Sequence, residues 1–508
     1  MTTDVIVPRW EWRTFGQHFG VADERFAALE STGVQESDEL YLLSATDANI
    51  KVRFDLLDLK QLVEVNADGL EQWRPTMKAQ FPVGVEDVGR IFEAVGRPVP
   101  PLDHDSYTLG KFVAELAPAA GLRPVQVHKR RVRYKVGGCT SEVSDVVADG
   151  RATRTIAIES EDAAAVVAAV RSVGLSDYVN TSYGKGLAAV IDGRPARYAV
   201  IDVGTNSVKF HIGERGSEGS WRRVVDRAEV TQLGEGMDAG GAIGSEPLAR
   251  TVAAIQAIVE EARREGVLAV AAVGTAGFRI ARNGDQAVAA IRDGAGVDVE
   301  VLSGDEESRL AYLAASQSVG LGQQSVVVFD TGGGSSQFTY GHGSTVDDRF
   351  SLNVGAARYT ERFGLASAVS DSTLDEALAQ ISADLAELDG RPQPAAVVGM
   401  GGANTNLTAV SLRMADYDPD AVQGSTLTTA EVERQIELYR TRSADERRSI
   451  VGLQPKRAEV ILAGACIVRT ILAKLGAEQL TVSDRGLRHG VLLERFGLPV
   501  PTSAEVTR

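Results

Sequence analysis

Two fifteen-residue stretches of this 508-residue chain lie 128 positions apart and repeat one pattern, AVIDVGTNSVKFHIG at 199–213 and VVFDTGGGSSQFTYG at 327–341. Asp202 matches Asp330, Gly204 matches Gly332, Ser207 matches Ser335, Phe210 matches Phe338 and Gly213 matches Gly341, five identities within twelve positions. Each copy is an apolar β-run ending in Asp, then a turn of Gly, Ser, Thr or Asn, then a second β-run, which predicts a hairpin whose turn exposes backbone N–H groups. The repeat predicts two similar half-domains facing a cleft. Gly204, Gly332, Gly333 and Gly334 let the backbone approach a phosphate, and Thr205, Asn206, Ser207, Ser335 and Ser336 add polar groups beside it. Asp202 and Asp330 are candidate ligands, directly or through water, of Mg²⁺ or Mn²⁺.

Around this repeat the chain falls into an α/β arrangement. A Gly, Arg and Pro cluster in VIDGRPARYAV marks a boundary near 195, giving expected domains at 1–195, 196–322 and 323–508. Before it, RWEWRTF, IKVRFDL and HKRRVRYKV read as strands, and SEDAAAVVAAVRSVG reads as a helix capped by Ser160. After it, strands alternate with helical stretches such as PLARTVAAIQAIVEEARREG and TLDEALAQISADLAELDG, the rhythm of a layered α/β fold.

Fifty-three Lys and Arg against 69 Asp and Glu give a formal charge of −16. That sign excludes a protein that coats nucleic acid through its bulk field, so any polyanion must bind locally. The longest purely apolar runs are too short to span a membrane. Cys139 and Cys466 stand far apart with no partner motif for zinc or a disulfide framework, and cytoplasmic residence is the expectation.

The wording DVGTNSVKF with DTGGGSSQF resembles the two phosphate motifs of the actin-like superfold in its Ppx/GppA branch of exopolyphosphatases and guanosine pentaphosphate phosphatases. AVGTAGFRIARN, VLSGDEESRLAYLA, SLNVGAARYTERF, VGMGGANTNLTAV and VSDRGLRHGVL resemble further segments of that branch, over about 197 to 497. The resemblance implies an actin-like, RNase H-like pair of half-domains. It also implies that Glu307 is the catalytic base orienting the attacking water and that Arg279 clamps phosphate oxygens. Two positions depart from the family's pattern: Gln337 stands where a carboxylate is usual in the second loop, and His489 replaces a Glu in the closing segment. An amide cannot carry the carboxylate's charge, and an imidazole can titrate near neutrality.

In RWEWRTF, alternation puts Arg9, Glu11 and Arg13 on one strand face. Lys51 with Arg53, and Lys129 with Arg131 and Arg133, repeat the basic i, i+2 spacing, so these side chains are candidates to converge inside a small antiparallel barrel. This order resembles the CYTH, or triphosphate tunnel, family over about 5 to 190. The resemblance implies paired acids for a metal, but Arg9 stands in place of the first Glu and Ala157 in place of a partner of Glu159. The expectation is therefore a basic, noncatalytic, polyanion-holding tunnel.

Together these readings imply a Mg²⁺-dependent hydrolase releasing terminal orthophosphate from inorganic polyphosphate. The rivals are a guanosine pentaphosphate 5′-phosphohydrolase, a noncatalytic polyphosphate or alarmone sensor, and an ATP-using kinase of the same superfold. No nucleic-acid or membrane partner is expected, and a homodimer is left open.

Overall fold

The computed structural model describes residues 8–216, 220–237 and 241–497. The chain divides into two compact units: Met1–Val273, Ile280–Glu300 and Arg495–Arg508 form one, and Gly274–Arg279 with Val301–Glu494 form the other.

The first unit opens with strands β1 (Arg9–Gly16), β2 (Gly33–Leu43), β3 (Ala48–Arg53), β4 (Leu56–Val65) and β5 (Glu71–Gln80). A short antiparallel pair, β6 (Val83–Gly84) and β7 (Ser106–Tyr107), precedes β8 (Arg123–Val136), β9 (Cys139–Ala148) and β10 (Arg151–Ser160). Eight of these strands close into a barrel in the order β1-β10-β9-β8-β2-β3-β4-β5, with β5 antiparallel to β1. Closure leaves no strand edge unpaired.

Side chains alternate between bore and exterior. Outward Ile50, Val52, Leu57 and Leu59 pack with Val88, Ile91 and Phe92 of the helix Val85–Ala94. Inward Val125, Val127, Val146 and Ala148 pack against Tyr183, Leu187 and Ile191 of the helix Tyr183–Ile191. That helix fills one end of the bore, so the expected tunnel is instead a cavity stoppered at that end.

Two local expectations need correction. IKVRFDL is not one strand, because Phe54 and Asp55 both have positive φ (52° and 55°) and make the turn between β3 and β4. The helix Ala163–Ser172 is capped by Asp162, whose carboxylate accepts from the N–H groups of Ala164 and Ala165 at 2.9 and 3.3 Å. Ser160 instead accepts from the N–H of Asp162 at 3.2 Å, because a cap must sit immediately before the first helical residue.

The helix Tyr183–Ile191 leads directly into β11 (Ala196–Val203), followed by β12 (Ser207–Arg215), β13 (Trp221–Val230), β14 (Ala269–Gly274) and β15 (Val299–Val301). Their sheet order is β13-β12-β11-β14-β15. The second unit repeats the plan with β16 (Ser325–Thr331), β17 (Ser336–His342), β18 (Thr345–Leu352), β19 (Ala396–Met400), β20 (Thr426–Thr428) and β21 (Gln479–Val482). Its order is β18-β17-β16-β19-β21-β20.

The duplication extends to fine detail. Asp202 pairs with Lys209 across β11 and β12, and Asp330 pairs with Gln337 across β16 and β17. Register shifts fall at Ile212/Gly213 and at Tyr340/Gly341, the same position in each repeat. A Cβ on Gly341 would lie 2.2 Å from the Thr345 carbonyl oxygen and 2.8 Å from the Tyr312 ring, so the bulge requires glycine there.

The core of the second unit is organised around the helix Ile461–Leu475, whose sequence ILAGACIVRTILAKL is apolar nearly all round and correspondingly buried.

Candidate active site

The two glycine turns share one hydrogen-bonding plan. The N–H of Gly204 donates to the Ser207 carbonyl at 3.0 Å, and that of Gly332 to the Ser335 carbonyl at 2.9 Å. In the first turn the Thr205 carbonyl accepts from Gly234, and the Asn206 carbonyl from Thr231 and Gln232. In the second, the Gly332 carbonyl accepts from Ala356, and the Gly333 carbonyl from Ala357 and Arg358 at the start of the helix Ala356–Phe363.

Among the described residues the N–H groups of Thr205, Asn206, Gly333 and Gly334 have no hydrogen-bond partner. Carbonyls are tied back and amides left over, the arrangement that suits an anion. Gly355 fixes the second loop from behind: a Cβ there would come within 2.3 to 2.5 Å of Gly333 and Gly334 backbone atoms.

The side chains divide into those that face the loops and those that do not. Thr205 and Asn206 are exposed and Ser207 is half-buried. Ser335 accepts from the Gln337 amide at 2.7 Å. Ser336, expected to present its hydroxyl to phosphate, is fully buried and donates to the Val354 carbonyl at 2.7 Å, because β17 alternation turns it into the core.

Asp202 is 1% exposed; one carboxylate oxygen accepts from Lys209 Nζ at 2.9 Å and the other is buried with no partner. An anionic oxygen left so is a position for a hard cation or its water. Asp330 lies against the start of the helix Gly401–Ser411, 2.0 Å from where a Cβ of Gly401 would stand. Gly401 has φ +80°, so only glycine allows that close approach without strain.

The two adjacent glutamates have different tasks. Glu306 accepts from the Ser303 N–H and hydroxyl at 3.0 Å each, while the Ser303 hydroxyl accepts from the Glu306 N–H at 3.2 Å. This capping box starts the helix Gly304–Ser318 and consumes Glu306. Glu307 is left to pair with Arg279, whose guanidinium also donates to the Leu302 carbonyl at 2.5 Å. The structure therefore brings together Glu307 and Arg279, residues that lie 28 apart in sequence.

His489 is 8% exposed in the helix Leu487–Phe496, and its Nδ1 accepts from the Gly486 N–H at 3.3 Å.

Two cations were not singled out by the sequence. Arg349 on β18 pairs with Asp305 and donates to the Ser308 hydroxyl at 3.3 Å. Arg457 lies within 2.6 Å of where a Cβ of Gly402 would stand, at the N-terminus of the helix Gly401–Ser411. An exposed arginine carries no periodic signal, so only a family motif or the structure finds such residues.

The barrel encloses a cavity of about 160 Å³. Of the six candidate cations, Arg13, Lys51, Lys129 and Arg131 line it, joined by Lys60. Arg53 lies off the lining, 3.7 Å from Glu39, and Arg133 is exposed at the strand end, donating to Gln35 at 2.9 Å. Arg9 is also off the lining, pairing at 3.4 Å with Glu159 of the cavity wall with half its side chain exposed.

A basic tunnel is not what forms. Glu11, Asp58, Glu142 and Glu159 line the same cavity, and Glu39 is buried among Lys129 at 3.6 Å, Lys51 at 4.0 Å and Arg53. Glu142 meets Arg131 at 2.9 Å and Arg13 at 3.2 Å, and Glu11 meets Arg13 at 2.7 Å. The one-face spacing predicts four of the six cations and Glu11, but not Glu39, Asp58 and Glu142, which come from β2, β4 and β9.

Burial opposes ionisation throughout this network. Burial alone raises the Glu142 carboxyl, yet Arg13, Arg131 and Lys129 outweigh it and hold it at about 2. Burial lowers Lys129 to about 7 against the pull of Glu39. Tyr183 roofs the group, with Lys129 Nζ 4.4 Å and the Arg13 guanidinium 4.8 Å from its ring centre.

Comparison with known proteins decides the family. The Ppx/GppA phosphatase family model matches residues 212–497, more than half of the chain. This chain belongs to the Ppx/GppA phosphatase family. Exopolyphosphatase 2 of Mycobacterium tuberculosis is 29% identical over 324 residues, covering 59% of this chain and 99% of that protein. A bifunctional 3-dehydroquinate synthase/phosphatase of Fusobacterium nucleatum is 27% identical over 58% of this chain, and the match spans only 46% of that longer protein. A crystal structure of the Aquifex aeolicus Ppx/GppA phosphatase aligns with a TM-score of 0.56 and 28% identity over 59% of this chain and 99% of its own. The barrel strands lie before the residues matched by the family model.

Proposed function

We propose that this chain is a phosphoanhydride hydrolase of exopolyphosphatase type, releasing terminal orthophosphate from inorganic polyphosphate. The observation that carries the proposal is the division of labour at 306 and 307: Glu306 is consumed as a helix cap, so Glu307 is free to act beside Arg279. The exopolyphosphatase relatives support the substrate class.

In this reading the uncommitted amides of Gly333 and Gly334 hold nonbridging oxygens of the terminal phosphoryl group. Arg279 exchanges its bond to Glu307 for one to phosphate, neutralising charge that phosphoryl transfer must spread over the equatorial oxygens. The freed Glu307 orients a water and accepts its proton as the oxygen attacks phosphorus. The anhydride P–O bond breaks, and the products are orthophosphate and a chain one unit shorter. General-base help of this kind contributes roughly 10² to 10⁴ in rate.

Asp202, whose second carboxylate oxygen is buried without a partner, fits a divalent cation and would hold Mg²⁺ or Mn²⁺. The ion would supply charge neutralisation at the phosphate oxygens.

For the barrel we infer a noncatalytic anion-holding role, supported by the five basic side chains lining its cavity and by Arg9 and Ala157 at positions where paired acids would hold a metal.

The test is phosphate release from long-chain polyphosphate, guanosine pentaphosphate and ATP in parallel, with Mg²⁺ and with chelator. Metal-dependent release from polyphosphate is expected. Release from guanosine pentaphosphate alone would overturn the substrate, and binding of either without release would make the protein a sensor.

A further inference from the structure

We propose that Arg349 is a substrate-positioning residue which, together with Arg279, grips the phosphoryl group adjacent to the one that leaves; the inference rests on the phosphohydrolase reading above. Its place follows from strand register. Asp330, Gln337 and Ser351 form one cross-strand row on β16, β17 and β18. Arg349 lies opposite Thr339, one two-residue step along the same sheet face, or about 7 Å from that row.

From there its side chain reaches the helix Gly304–Ser318, where it pairs with Asp305 and donates to the Ser308 hydroxyl. Gly304 marks what lies between the two arginines. A Cβ built on it would stand 4.0 Å from Arg279 Nη2 and 4.0 Å from Arg349 Nη1, so those nitrogens are no more than 8.0 Å apart.

Two guanidinium groups that close repel each other, and the resident carboxylates Glu307 and Asp305 each neutralise one of them. Neither arginine is buried, at 31% and 39% side-chain exposure, so both can trade a carboxylate for a phosphate oxygen without entering an apolar core. Glu307 ties Arg279 to the phosphorus under attack. Arg349, held by Asp305 two residues nearer the helix start, is left for the next phosphoryl unit. A chain with a charge on every unit is the ligand that satisfies both.

Orthophosphate fills only the terminal position, whereas pyrophosphate fills both, so the pair separates this role from a structural one. Titration calorimetry of the full-length chain should show Arg349→Ala weakening pyrophosphate about tenfold while orthophosphate stays within about twofold. In steady state, KM for polyphosphate should rise about tenfold with kcat nearly unchanged. Arg349→Lys should recover part of the loss, and Asp305→Asn, by removing the competing carboxylate, should tighten pyrophosphate. If Arg349→Ala does not fold, the Arg349→Lys and Asp305→Asn shifts carry the test. Equal weakening of both anions, or no change in either, overturns the proposal. A wild-type protein that releases no phosphate from any substrate overturns the hydrolase reading, while the calorimetric comparison still decides Arg349.

Discussion

The glycine loops and the barrel interior both gather hydrogen-bond donors in an acidic protein, from opposite materials. In the loops the donors are backbone amides, and the carbonyls beside them are already tied to neighbouring N–H groups. In the barrel the donors are side-chain cations, and carboxylates lie among them, five bases to four acids on the cavity wall. A phosphate entering the loops meets amides that have no protein partner to give up. A phosphate entering the barrel must displace Glu142 from Arg13 and Arg131, or share Lys129 with Glu39. The backbone site is preorganised for an anion; the side-chain site is preorganised for itself.

The largest effect should separate the two by stability. Glu142→Gln removes an anion buried between two guanidinium groups and leaves Arg131 without its carboxylate and Arg13 with Glu11 alone. A carboxyl lowered from 4.5 to about 2 contributes about 3 kcal/mol to folding at neutral pH. Because its folded value is depressed, that contribution is present above about 4.5 and is lost as pH falls through about 2. Chemical denaturation of wild type and Glu142→Gln should therefore differ by about 3 kcal/mol at pH 7 and converge in strong acid. Equal stability at pH 7 would show that the barrel network is not coupled to folding.

Next in size, Glu307→Gln should lower turnover roughly a hundredfold, about 2.7 kcal/mol of barrier, with polyphosphate binding not weakened, because the carboxylate competing for Arg279 is gone, and folding stability unaffected. Measuring kcat and a binding constant on the same preparation checks this, and parallel loss of both would return Glu307 to a binding role.

The smallest effect sharpens the comparison within the repeat itself. Across from Asp202 stands Lys209, and across from Asp330 stands Gln337, so one loop carries a cation where the other carries an amide. Gln337→Glu should raise turnover roughly tenfold, about 1.4 kcal/mol, because a carboxylate in that row holds a metal ion or its water more firmly than an amide does. A fall in rate would mean that the amide's bonds to Ser335 and Ser351 are the working arrangement.

Much of this was legible in the chain, for reasons that differ by residue. The hairpins were legible because the repeat aligns Asp with Asp and Phe with Phe, and both Phe210 and Phe338 are buried as strand alternation requires. The basic bore was legible at Arg13, Lys51, Lys129 and Arg131, since i, i+2 spacing fixes a face. Spacing does not fix how far along a strand the bore extends, so Arg133 fell outside. Nor does it show which strands become neighbours, so Glu39 and Glu142 were missed although each stands one two-residue step along the neighbouring strand from a cation it neutralises, Glu39 from Lys129 and Glu142 from Arg131. Ser336 was misplaced because a glycine-rich motif suggests exposure while its own strand parity turns it inward.

The packing of Gly355 against the second loop has a consequence for how the protein can diverge. Backbone lies on backbone there, with no side chain between to absorb change. Drift elsewhere in the molecule can be compensated by repacking neighbours, but at this contact even one methyl group must push the loop itself. The seam is therefore a place where sequence variation is barred by shape alone, so that tolerance to substitution near this site should track clearance rather than chemistry.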